Sequence, residues 1–180
     1  VQSGVKSSNS EQNFLEFCFD KKSIVEATLQ PIQRYKIDCA IIFCDILVIP
    51  YILGQDISFI KGEGPKLGNL TLNDLISLET VTQKEKKLEN TYKAIKEIRK
   101  KLNKNKSLIG FCGGPWTVAC YMINGKGDGK FKIVLNEIKK NKSLLIKLLD
   151  NISKQSVNHL YQQYINGCDT LMIFESWAGL

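Results

Sequence analysis

The chain has 180 residues, 43% of them hydrophobic, with a formal charge of +7. That is enough for one ordinary domain, and it excludes a disordered or fibrous chain. The basic balance, with a pI near 9.0, favours anionic partners such as nucleic acid, a membrane surface or a polyanionic small molecule. Solvated helix faces explain it equally well, because most lysines fall within 84–106 and 126–154.

In chain order, residues 1–12 are polar and read as a mobile N-terminal segment, leaving 13–180 as one domain. From Ser23, "SIVEATLQPIQRY" spaces Ile24, Ala27, Ile32 and Tyr35 as on a helix, with Pro31 expected to kink it or mark a boundary. "DCAIIF" reads as a strand buried on both faces. "ISFIKGEGPKLG" reads as a small hairpin or flap punctuated by glycines. Leu88, Tyr92, Ile95, Ile98 and Leu102 form one stripe of an amphipathic helix. "SLIGFCGG" returns to strand character, and Pro115 opens a helix over "PWTVACYMI". After the loop "INGKGDGK" come a helix to about Lys140 and another from Ser143, read as its N-cap, to Asn166, with Gly167 as the stop. "CDTLMIFES" is a third strand, also expected to be buried.

Strands alternating with longer helices predict an α/β fold with a parallel sheet. Ligands in such folds sit at the carboxyl ends of the strands. Three stretches fall there: Asp45 after "AIIF", "FCGGPW" after "SLIG", and "ESWAG" after "TLMI". Asp45 stands alone as a charge inside "IIFCDILVIP", and it either caps a turn or serves a ligand. Trp177 reads as a pocket edge, and Trp116 as pocket or core.

Other motifs fail. "GKGDGK" misses the phosphate-loop spacing, since Asn124 and Phe131 stand where Gly and Ser or Thr are needed. His159 is the single histidine and falls on a helix face, and no CxxC pair exists among the six cysteines, so a zinc site is not expected. The basic helix 84–106 lacks the aromatic interleaving of a nucleic-acid binder. Unpaired cysteines in apolar segments, and no signal-like start, predict a reducing, cytoplasmic setting. No apolar run reaches the roughly 18–20 residues of a membrane span.

"TLQPIQRYKIDCAIIFCDILVIPYILG", "GEGP", "LIGFCGGPWTVACYMINGKG" and "GCDTLMIFESWAGL" are collinear and resemble the uroporphyrinogen decarboxylase family from about Asn13 to Leu180. The resemblance implies a partial (β/α)8 barrel, with strands two, three and four of eight. It implies decarboxylation of the four acetate side chains of uroporphyrinogen to give coproporphyrinogen in haem biosynthesis, with no metal or organic cofactor and a homodimer at full length. It implies that Asp45 is the catalytic carboxylate under the pyrrole NH groups, that Tyr121 and Ser176 contact substrate carboxylates, and that Phe111 lines the cleft. The family's "RQAGR" segment and late histidine have no counterpart here, and Cys44 replaces its usual Ser. The chain is therefore read as an internal fragment, inactive alone and exposing sheet edges. A cobalamin- or thiol-dependent methyltransferase of the same barrel family is the second reading, and a non-enzymatic basic anion-binding module the third.

Overall fold

The structure is a computed structural model that describes residues 14–60, 64–127 and 129–180. The segment 1–12, residues 62–63 of "GEGP" and Asp128 of "GKGDGK" lie outside the described residues.

The chain enters through α1 (Phe14–Phe19) and α2 (Lys21–Arg34). Asp20 caps α2 by accepting the Ser23 N–H at 2.8 Å. Pro31 lies in the last turn of α2, where the missing N–H costs little continuity, and the helix ends at Arg34. Then come β1 (Cys39–Ile41), α3 (Val48–Ile52) and the antiparallel hairpin of β2 (Ile57–Ile60) and β3 (Gly64–Leu67). Next is α4 (Leu72–Ile76), opened by a Thr71–Asp74 capping box, and α5 (Thr82–Lys101) follows. After β4 (Ser107–Gly113), α6 (Pro115–Asn124) starts on proline and stops at the left-handed Gly125.

Helix α7 (Lys132–Lys140) runs almost directly into α8 (Lys142–Ile165). Ser143 is therefore not the cap but lies inside the first turn. Asn141 holds the junction: its carbonyl accepts the Leu144 and Leu145 N–H groups at 3.1 and 3.0 Å, and its side chain donates back to Glu137 at 2.7 Å. Gly167, at φ +122°, ends α8 as expected. The last element is β5 (Thr170–Phe174).

Strands β1, β4 and β5 form one parallel sheet in the order β1-β4-β5, with Ile41 level with Ile109 and Gly113 level with Phe174. Helices α2, α5 and α8 pack on one face. Ile24, Ala40, Ala94, Ile98, Leu108 and Cys168 share an apolar cluster there. Parallel strands joined by helical crossovers on a single side form an arc of a (β/α)8 barrel.

Burial on both faces holds only for the central β4. Ile41 of β1 is 46% exposed, and all of β5 is exposed, with Ile173 at 57%. The two outer strands carry apolar sequence, but no described element covers the second face of the sheet or pairs with the free edge of β5. Among the described residues no helix is long and apolar enough to cross a membrane.

Candidate active site at the carboxyl ends of the strands

The loop after β1 is fixed before it reaches Asp45. The Ile42 N–H still bonds to Ile109 at 3.0 Å, and the Phe43 N–H donates to Thr28 Oγ1 on α2 at 2.9 Å. Asp45 Oδ1 then accepts the Leu47 N–H at 2.8 Å, turning the chain into α3. Turn capping, the first of the two sequence readings of Asp45, is thus seen directly. It occupies one oxygen. Among the described residues Oδ2 meets no donor and no cation pairs with the carboxylate. Burial pushes the Asp45 pKa up, and the Leu47 N–H offsets this in part.

Gly113 makes this packing possible. A Cβ there would stand 2.7 Å from Val118 Cγ2 and 2.9 Å from Ile46 Cβ, so the glycine lets the Asp45–Ile46 loop close over the end of β4.

Tyr121 projects from α6, its ring edge-on to Phe131 with centroids 6.2 Å apart. Burial raises its phenol pKa, and the negative charge of Asp45 adds to the rise. The two side chains therefore stand within each other's field. The Trp177 indole approaches the phenol closely enough to oppose that rise. It does so without hydrogen-bond geometry, because its Nε1–H is buried with no partner among the described residues.

Ser176 lies in the exposed loop after β5, and its N–H donates to Thr117 Oγ1 at 2.8 Å. Thr117 sits one helical turn before Tyr121, so α6 carries both contacts. Phe111 is set lower, two residues before the end of β4. Its ring is buried edge-on to Phe174 at 5.2 Å between centroids. The structure thus brings Asp45, Tyr121 and Ser176 to one end of the sheet and puts Phe111 in its floor.

Three supporting residues escaped the sequence reading: Thr117, Glu175, whose carboxylate accepts the Thr117 hydroxyl, and Gln163, whose amide bonds both backbone groups of Phe111. Glu175 lies inside the quoted "ESWAG", but nothing in the sequence says which element its carboxylate meets.

The positive charge is not gathered here. Of the two arginines, Arg34 closes α2 just ahead of β1, and Arg99 bonds Asp169 Oδ2 at 2.7 Å beside the starts of β4 and β5. Surface grooves of about 360 and 260 Å³ lie between α2 and α5 and beside α4, and neither is lined by Asp45, Phe111, Tyr121 or Ser176. Among the described residues no group of three or more His, Cys, Asp or Glu side chains is placed to hold a metal ion. His159 lies on the buried face of α8. It is buried against Tyr92, whose hydroxyl lies 3.0 Å from Nδ1, and burial lowers its pKa to about 4.

Fold and site together define an arc of a (β/α)8-barrel protein whose polar residues gather where such barrels carry their ligand sites. Residues 4–180 match the family described as uroporphyrinogen decarboxylase (URO-D), and the chain belongs to that family. It is 44% identical over 170 residues to the uroporphyrinogen decarboxylase of Rickettsia bellii (strain RML369-C), covering 94% of this chain and 49% of the relative. It is 43% identical over 179 residues to that of Orientia tsutsugamushi (strain Ikeda), covering 97% of this chain and 50% of the relative. The chain spans about half the length of the curated relatives it matches. Among solved structures, a methyltransferase from Methanosarcina mazei superposes with a TM-score of 0.73 at 19% identity, over 91% of this chain and 48% of that one. That likeness concerns the fold.

Proposed function

We propose that residues 13–180 act as one partial-barrel domain supplying half of a uroporphyrinogen decarboxylase site. The complete protein would convert the four acetate side chains of uroporphyrinogen to methyls, giving coproporphyrinogen in haem biosynthesis. Family membership and the names of the relatives support this reading. The observation that carries it is Asp45: a half-buried carboxylate at a strand's carboxyl end, anchored through Oδ1, with Oδ2 free of partners among the described residues.

The chemistry asks for such a group. Breaking the bond between an acetate methylene and its carboxylate releases carbon dioxide and leaves an electron pair. Prior protonation of the adjacent pyrrole ring carbon lets the ring accept that pair, because the positive charge is then delocalised onto nitrogen. A later proton on the methylene gives the methyl. A fixed carboxylate facing the pyrrole N–H groups stabilises the cation as it develops. Desolvation works against the charge on Asp45, and N–H donors from a macrocycle would favour the ionised form. Tyr121 and Ser176 would contact substrate carboxylates, and Phe111 would line the cleft. With the chain's two arginines placed elsewhere, most cations matching eight substrate carboxylates would come from outside these residues.

Barrel closure is part of the same reading. The apolar, unpaired edge of β5 would take the next strand, and the 180-residue chain alone would be inactive. The six free cysteines support a reducing, cytoplasmic setting. On α5 the pairs Glu89–Lys93 and Glu97–Lys101 support a solvated face over a nucleic-acid surface. A homodimer at full length is the assembly the resemblance implies, and sedimentation tests it. The methyltransferase reading rests on fold likeness alone, and zinc bound to the complete protein would favour it. The test is turnover: the complete protein should convert uroporphyrinogen to coproporphyrinogen, and the 180-residue chain should not. Turnover by the 180 residues alone, or none by the complete protein, overturns the proposal.

A further inference from the structure

We infer that Thr117 and Glu175 form a positioning clamp that locks the loop after β5 onto the first turn of α6, and so sets Ser176 in fixed register with Tyr121. The inference rests on the decarboxylase reading for what Ser176 and Tyr121 do, but not for the clamp itself.

Glu175 and Ser176 are exposed, so apart from the Trp177 ring, which packs edge-on to Phe131 at 4.9 Å, the loop is held by polar anchors. The anchors are dense. Glu175 Oε2 accepts the Thr117 N–H at 3.3 Å, and Oε1 accepts the Thr117 hydroxyl in a short hydrogen bond. Oε1 also takes the Trp177 N–H at 3.4 Å. Thr117 Oγ1 in turn accepts the N–H groups of Ser176 and Trp177 at 2.8 and 3.2 Å. One buried hydroxyl therefore donates once and accepts twice, which is its full capacity. A second tie runs beside it: Trp116 Nε1–H donates to the Trp177 carbonyl at 2.8 Å. The carboxylate also sits at the N-terminal end of α6, where the free N–H groups and the helix dipole favour negative charge.

The glycine before the helix fits this arrangement. A Cβ on Gly114 would stand 2.1 Å from Glu175 Oε2, so only glycine leaves room for the carboxylate. All three groups that face the carboxylate are donors, so an amide cannot replace it without turning an NH2 toward an N–H. Serine can replace Thr117, because it keeps the hydroxyl; valine cannot.

The experiment uses the complete protein with Thr117→Ser, Thr117→Val and Glu175→Gln. Amide hydrogen exchange is read at Ser176 and Trp177, with the amides of β4 as a control for global opening. Steady-state kinetics with uroporphyrinogen follow. Thr117→Val and Glu175→Gln should speed exchange at Ser176 and Trp177 at least about tenfold, leave β4 protected, and raise KM for uroporphyrinogen more than they lower kcat. Thr117→Ser should restore both readouts. Unchanged exchange in Thr117→Val overturns the clamp. Faster exchange with unchanged KM overturns its role in positioning Ser176. If the unmodified protein has no turnover, the decarboxylase reading fails, and the exchange data alone decide whether the clamp exists.

Discussion

Gln163 holds Phe111 by both of its backbone groups: the side-chain oxygen accepts the Phe111 N–H at 2.8 Å, and the side-chain nitrogen donates to the Phe111 carbonyl at 2.8 Å. A side chain from α8 thus takes the place of a neighbouring strand where β1 has already ended. Gly110 permits the approach, since a Cβ there would stand 2.6 Å from Gln163 Oε1.

Gln163→Leu leaves two buried backbone groups unpaired, at roughly 1–3 kcal/mol each. Urea denaturation of the complete protein should show a loss of about 2–6 kcal/mol with an unchanged slope. A loss under about 0.5 kcal/mol, the size of an ordinary surface change, would mean that the amide is not holding β4.

Gly113→Ala forces a methyl against Val118 and Ile46, at an overpacking cost of about 1–3 kcal/mol, and should displace the Asp45 loop. Gly179→Ala is the comparison, because nothing lies within 4 Å of its added Cβ, and it should stay within about 0.5 kcal/mol of the parent. Equal stabilities for the two variants would contradict the close packing of Ile46 on β4.

The strands and long helices were legible in the sequence because periodicity and caps act locally. "SLIG" and "TLMI" lie within strands, "AIIF" is strand only through Ile41, and Gly167 ends α8. What was not legible depends on neighbours distant in sequence. The residues of "TLMI" look core-like, yet they are exposed on an outer strand with one face uncovered. Ser143 looks like a cap, but the chain has no room for one there because α7 runs straight into Asn141. The five-residue α4 carries a readable signal, the Thr71–Asp74 capping box, in a stretch too short for helical periodicity. In the candidate site, Asp45, Tyr121 and Ser176 were singled out by motif. Their supports, Thr117, Glu175 and Gln163, are ordinary polar residues whose work appears only when α6, β5 and α8 come together.

His159 should give the fold an acid-sensitive step. Its pKa falls from 6.5 to about 4 on burial, so its contribution is fully present above the unfolded value. It is lost as pH drops through about 4 and is worth on the order of 3 kcal/mol. His159→Gln should flatten the stability profile between those two pH values. An unchanged slope in that window would show that the imidazole is not held neutral.

Asp45 should act in the opposite sense. Its folded pKa is raised, so the ionised form costs stability, a cost absent in strong acid and complete once pH exceeds the folded pKa. Asp45→Asn keeps an oxygen for the Leu47 N–H and removes the half-buried charge. It should therefore be more stable than the parent at neutral pH and equal to it in strong acid. Lower stability at neutral pH would contradict the burial argument.

The most direct test of the account is the rate of uroporphyrinogen decarboxylation by the complete protein with Asp45→Asn, measured in a single turnover with the fold checked by circular dichroism. The account predicts a folded protein slowed roughly 100-fold to 1,000-fold, the usual loss when a fixed electrostatic partner of the transition state is removed. A folded Asp45→Asn protein that decarboxylates at the parent rate would contradict it.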